Sequence, residues 1–231
     1  MRALKGLTYF AILLSVLLDA RARGADAPSV EQCPGAATWT RTHPAFAQSP
    51  QSESGDNRAI SEYALLKDLK VRVETDQGAR KRWLADPKSE NLARSVAVID
   101  AANLTWLRQL ISEKGFPTAA QVGSEGVHLA WILLQHADQD PKLQSQLLPV
   151  LEQRFAAGEL AANDLARITD RVLVASGRPQ RYGTQFDWFS GAFKLPEPSR
   201  LTEIDSARSH VGLMPLADYV CTIRKAREKV K

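Results

Sequence analysis

The chain has 231 residues, 44% hydrophobic and 24% charged, with only two cysteines. This is ordinary globular composition; it excludes a collagen-like or wholly disordered chain and a dense disulfide scaffold. The net charge is +4, but residues 1–22 carry Arg2, Lys5 and Arg21 against Asp19. Without them the charge is about +2, a weak basis for nucleic-acid binding.

Arg2 and Lys5 open the chain, and Leu7 to Leu18 follows without a charge. Ala20, Ala22, Gly24, Ala25 and Ala27 come next. A basic start, an apolar stretch and small residues form the pattern of a secretory signal peptide. The uncharged stretch is shorter than the ~20 residues a bilayer span requires. We expect residues 1–22 to be a leader, with cleavage as late as Ala27, and a secreted or periplasmic mature protein. The mature chain should contain no transmembrane helix. In an oxidising compartment Cys33 and Cys221 can form a disulfide or remain two free thiols.

Residues 23–57 are rich in Pro, Ser, Gln, Gly and Ala, and read as a disordered linker. The folded domain is placed at 58–231. Tyr63, Leu66, Leu69 and Val73 recur at helical spacing, and so do Val96, Ile99, Asn103, Trp106, Leu107 and Leu110. Lys114-Gly115-Phe116-Pro117 is a stop signal for that second helix. A third helix is expected from about Ser124 to Asp138, with Ser124 as its cap. Asp140-Pro141 opens a fourth, in which Pro149 should form a kink or a break. A fifth runs from about Ala161 to Ser176, and Gly177 and Pro179 end it. Phe186, Trp188, Phe193 and Leu195 around Ser190-Gly191 read as one short β-hairpin. Two helices, at about 202–211 and from Pro215 to about Glu228, complete the chain. The expected fold is mainly α: a compact antiparallel helical bundle with one hairpin.

Three polar clusters stand out. In Gln135-His136-Ala137-Asp138, the residues His128, Trp131, Gln135 and Asp138 share a stripe suited to a pocket wall. His136 is either a hydrogen-bonded core residue or a general acid–base group. Asp170-Arg171 is either a structural ion pair or a bidentate anion binder. Gly177-Arg-Pro-Gln-Arg-Tyr-Gly-Thr-Gln185 is either an internally bonded turn or a loop that offers Gln180, Tyr182, Thr184 and Gln185 to a ligand. Weaker candidates are Asp76-Gln77 with Arg80, and Asp100 with Asn103; capping or inter-helix hydrogen bonds explain them equally well.

There is no dinucleotide fingerprint, P-loop, zinc-protease motif, nucleophile elbow or paired-cysteine motif. His136, Asp138, Asp140 and Asp170 match no standard metal-ligand spacing, so no metal is assigned. Aromatic–basic interleaving of the RNA-binding kind is missing too, and no nucleic-acid partner is expected.

Ala130-Trp-Ile-Leu-Leu-Gln-His-Ala-Asp138, Thr169-Asp-Arg-Val172 and Gly177-x-Pro-Gln-x-Tyr-Gly-Thr-Gln185 occur in this order. Together they resemble a bacterial family, domain of unknown function 6624. Asp76-Gln77-x-x-Arg80, Gly115-Phe-Pro117, Val122-Gly123 and Arg208-x-x-x-Gly-Leu-x-Pro-Leu216 also fit; Phe116 stands where many relatives carry Trp. The resemblance covers about 76–219. It implies a domain that is secreted or membrane-attached in many members, and no assigned activity or cofactor.

Two functions follow as expectations. In the first, His136, Asp138, Asp170, Arg171, Gln180, Tyr182 and Gln185, beside Gln135, line a polar pocket that binds or hydrolyses a small polar or anionic ligand. His136 would be the base, oriented by an aspartate, and Tyr182 and Arg171 would stabilise developing negative charge. In the second, the same residues form a structural hydrogen-bond network, and the partner is an envelope protein.

Overall fold

The computed structural model of the chain describes residues 33–44, 60–186 and 197–228. They form eight α-helices: α1 Pro34–Thr42, α2 Tyr63–Ala85, α3 Glu90–Lys114, α4 Ala119–Gln135, α5 Pro141–Ala156, α6 Ala162–Ala175, α7 Leu201–His210 and α8 Leu216–Glu228. One 3₁₀ turn, Pro198–Arg200, precedes α7. No described residue is in a strand. The expected hairpin falls at 186–195, and all of it but Phe186 lies outside the described residues. So does the expected leader.

The helix α4 is the centre of the fold. Val127, Ala130, Trp131, Ile132, Leu133 and Leu134 face every side of it, and none is more than 2% exposed. A helix that is apolar all round must be covered all round. α2, α3 and α6 cover it, and α5 packs on α6. Leu66, Leu69, Leu107, Leu151 and Ile168 supply the facing side chains. Each fully buried aliphatic side chain contributes about 1.5–3 kcal/mol.

Local signals explain the helix ends. The Ser89 hydroxyl accepts from Leu92 N–H at the start of α3. The Asp140 carboxylate accepts from Leu143 N–H at the start of α5. α4 begins earlier than expected, with Thr118 and Gln121 in a reciprocal capping box. Gly123, at φ 70° and ψ 166°, then interrupts the helix before Ser124. Only glycine takes that backbone without strain. α4 ends at Gln135, with His136 as its C-cap, so Asp138 lies past the helix rather than on it.

Two expectations are corrected. Of the kink or break expected at Pro149, the break does not occur: α5 runs from Pro141 to Ala156. Pro149 is exposed, so the carbonyl it leaves without an amide partner can bond to water. The expected linker also contains a helix. Cys33 is joined to Cys221, with Cα atoms 5.9 Å apart, and α1 starts on Pro34. α1 packs on α8, with Cys33 and Ala36 each 1% exposed. The covalent tie removes the entropy that made this segment look unfoldable by composition. A smaller core joins Phe186, Ile204, Leu216, Tyr219, Val220 and Ile223. Among the described residues, no helix is long and apolar enough to cross a membrane.

The bridge spans 188 residues of sequence. Reducing it should lower stability by about 2–4 kcal/mol, measured by urea unfolding with and without reductant. No change would mean that α1 is held by packing alone.

Candidate functional site

The residues that looked weakest in the sequence form the tightest cluster. Asp76 and Arg80 stand one turn apart on α2, and each is 1% exposed. Arg80 Nε donates to Asp76 Oδ1 at 3.1 Å, and Arg80 Nη2 donates to Asp100 Oδ1 on α3. Gln77 Nε2 donates to Asp76 Oδ2 at 2.8 Å. His136, at the end of α4, places Nδ1 2.9 Å from Asp76 Oδ2 and 3.1 Å from Arg80 Nε. Nδ1 cannot donate to the carboxylate and accept from the guanidinium at once. Arg80 Nε already donates to Asp76, so we assign the proton to Nδ1, donating to Asp76. His136 Nε2 then carries the lone pair.

The cluster reaches the surface through two carboxylates. The Asp100 side chain is 12% exposed. Asp138, just past the His136 cap, is 39% exposed and forms an ion pair with Arg171 of α6. Burial lowers the His136 pKa, and Arg80 and Arg171 add to the effect against Asp76, so the fold favours the neutral ring. Burial alone would raise Asp76. His136, Arg80 and Gln77 together outweigh it and hold the acid well below the usual carboxylate range. Asp100 goes the other way. Burial, and the charges of Asp76 and Asp138, push it up to about 7 against the pull of Arg80. Of the two acids sharing Arg80, Asp76 keeps its charge and Asp100 titrates near neutrality.

Asp76, Asp100 and His136 also hold one potential metal-ligand atom each within 4.8 Å of one another. The Arg80 guanidinium donates to both of these carboxylates. A divalent cation would have to displace a permanent one, so the donor set does not suit a metal. The other set considered from the sequence is not assembled: Asp140 caps α5 and pairs with Arg108 at 2.7 Å, and Asp170 serves a loop.

That loop is the second half of the motif set. Asp170 is fully buried. Its Oδ1 accepts from Arg181 N–H at 2.7 Å and Tyr182 N–H at 2.9 Å. Its Oδ2 accepts from Thr184 N–H and the Thr184 hydroxyl, both at 2.8 Å. Burial pushes its pKa up, and these four donors oppose the shift. Gln180 and Gln185 close the loop: Gln180 Nε2 donates to Gln185 O at 2.9 Å, and Gln185 N–H donates to Gln180 Oε1 at 2.8 Å. Gln185 Nε2 reaches Arg167 O at 3.1 Å. Gly183 has φ 68°, and an added Cβ would lie 2.8 Å from Leu216, so the Tyr-Gly-Thr step requires glycine. Arg208 locks the outside of the loop, donating to Tyr182 O at 2.8 Å and Met214 O at 2.6 Å. The Tyr182 ring packs with Ala166 and Leu213.

The expected single pocket therefore divides. His136, Asp138 and Arg171 join Asp76, Arg80 and Asp100. Asp170, Gln180, Tyr182 and Gln185 form a self-satisfied turn. Asn103 takes no part in the ionic cluster and accepts from Arg72 at 3.3 Å. Gln144, which sequence reasoning missed, donates to Leu134 O at 3.0 Å and so adds a side-chain bond to the last turn of α4. A surface groove of about 430 Å³ lies elsewhere, lined by Leu65, Asp68, Trp106 and Gln109 among others.

The model of a family of unknown function, DUF6624, matches residues 64–231. The chain belongs to the DUF6624 family. No curated protein and no solved structure matches it. The matched residues include both the ionic cluster and the loop lock; α1 lies outside them.

Asp170→Ala should orphan three amides and a hydroxyl, and cost about 3 kcal/mol or more in urea unfolding. Asp138→Ala, which takes a partly exposed partner from the buried Arg171 guanidinium, should cost less than Asp170→Ala. Equal costs would contradict this division of the motifs.

Proposed function

We propose that this DUF6624 member is a secreted or periplasmic domain whose ionic cluster is an acid–base site for a small polar ligand. The observation that carries this reading is Asp100: a carboxyl raised to about 7, at the surface edge of a cluster that contains a neutral His136. A group titrating near the working pH is suited to give and take protons. Asp100 would exchange the proton with the ligand. Asp76 and Arg80 would set its acidity, with His136 behind them. Asp138 and Arg171 would orient the ligand at the opening.

The charges bear on the ligand. Both guanidinium groups of the cluster already face carboxylates, three against two. That favours a neutral or cationic ligand over an anionic one. The leader-like N-terminus and the Cys33–Cys221 bridge support export to an oxidising compartment. The chemistry that fits is acid–base hydrolysis of a polar substrate.

A second reading has its own support. The four donors gathered on Asp170 and the paired Gln180 and Gln185 turn this loop's polar groups onto one another, as in a structural network. If the ionic cluster does the same work, the protein acts by contact with an envelope partner.

The pH dependence has a defined sign. Asp100 has a folded pKa above the ~3.9 of an exposed aspartate. Its contribution to stability is complete below about pH 4 and lost as pH rises through about 7. His136, lowered in the fold, contributes in the opposite sense: its share is present above about 6.5 and lost as pH falls. From pH 5 to 8 the native Tm should therefore fall relative to Asp100→Asn, at about 2–4 °C per kcal/mol. A panel of chromogenic ester, amide and glycoside substrates completes the test. The expected result is turnover with an ionisation near 7 that Asp100→Asn abolishes while the fold is retained. A panel without turnover, together with parallel Tm profiles, would leave only the structural reading.

A further inference from the structure

Among the described residues, four arginines are buried: Arg80, Arg167, Arg171 and Arg208. Arg80 has two carboxylates, Arg171 has Asp138, and Arg208 has two carbonyls. Arg167 has none of these. It is 5% exposed, and its Nε has no hydrogen-bond partner among the described residues. Its guanidinium lies 5.9 Å from the Trp131 ring centre, which is at the limit of a cation–π contact. A buried cation without a counter-charge is strongly disfavoured.

Its surroundings form a row along the α4–α6 seam. At one end His128 Nδ1 lies 2.7 Å from Asp164 Oδ2, and Trp131 Nε1 donates to Asp164 O at 3.1 Å. At the other end Asp138 pairs with Arg171. Between them, one turn beyond Trp131 on the same face of α4, lies Gln135. It is 1% exposed, and neither Nε2 nor Oε1 has a partner among the described residues. Arg167 lies one turn before Arg171 on α6. The helix register therefore puts an unmatched cation and an unmatched amide in the same stretch of seam. The His128 side chain, 20% exposed, marks its open end.

We propose that this seam binds a small carboxylate that carries its own hydrogen-bond donor, of the 2-hydroxy-acid class. The carboxylate would neutralise Arg167 and accept from Gln135 Nε2. The hydroxyl would donate to Gln135 Oε1. Water can satisfy the amide but cannot balance the charge. The site is independent of the acid–base centre: turnover by Asp100→Asn tests that centre alone, and the experiment below tests this seam alone.

The probe is glycolate, compared with acetate and inorganic phosphate, added to the disulfide-bonded protein. The readout is the indole N–H resonance of Trp131, assigned by its loss in Trp131→Phe. Glycolate should shift it saturably at or below about 10 mM, and acetate should bind about tenfold more weakly. Arg167→Met should abolish the shift. In anion-poor buffer its Tm should be no lower than that of the native protein, because an uncompensated cation has gone. Gln135→Leu should weaken glycolate by about tenfold or more, and it carries the test if Arg167→Met fails to fold. No saturable shift, an undiminished shift in either variant, or a response to phosphate alone would overturn the proposal.

Discussion

One guanidinium fastens the centre of this protein. Arg80 is sealed from water, and a permanent charge there costs several kcal/mol unless it is matched. It is matched by Asp76 on its own helix, which also accepts from the His136 ring at the end of α4, and by Asp100 on α3. The three helices that converge there are thereby fixed in register. Removing one partner of such a set typically costs 3–5 kcal/mol. The apolar surface of α4 brings the helices together without direction. The ion set supplies the direction, because hydrogen bonds tolerate little error in distance or angle.

The same arrangement explains why two families of polar residues, mingled along the chain, have separate roles. Asp170 and Arg171 are neighbours in sequence, but adjacent positions on a helix point about 100° apart. Asp170 turns towards the 180–185 loop and organises four donors there. Arg171 turns towards Asp138 and the ionic cluster. The loop is complete in itself. The ionic cluster keeps an acid that titrates near neutrality and a carboxylate in solvent. That contrast, between a closed network and an open one, separates scaffold from candidate site.

Much of the fold was legible. The periods around Leu66 and Leu107 mark two helices because one face of each must be apolar. The Asp140-Pro141 and Lys114-Gly115 signals act on the backbone within one turn, so they survive any tertiary context. Pro149 misled because its cost depends on which side of the helix it occupies, and period alone does not say that the side is wet. The segment around Cys33 misled for the opposite reason. Its composition is that of a loose chain, and only a bond to a residue 188 positions away holds it. Asp76, Gln77, Arg80 and Asp100 were visible as polar residues on helices, indistinguishable there from ordinary surface ion pairs.

By itself the sequence determined that the chain is mainly helical and roughly where most helices begin and end. These depend on local backbone chemistry and on the spacing of apolar side chains, which any reader of the chain can count. The tertiary structure alone decided which polar residues meet. Asp76, Asp100 and His136 are separated by tens of residues, and their joint chemistry arises from a distance of a few ångströms across three packed helices. Such a distance is set by how side chains of particular volume fill the space around α4, and no local pattern encodes it.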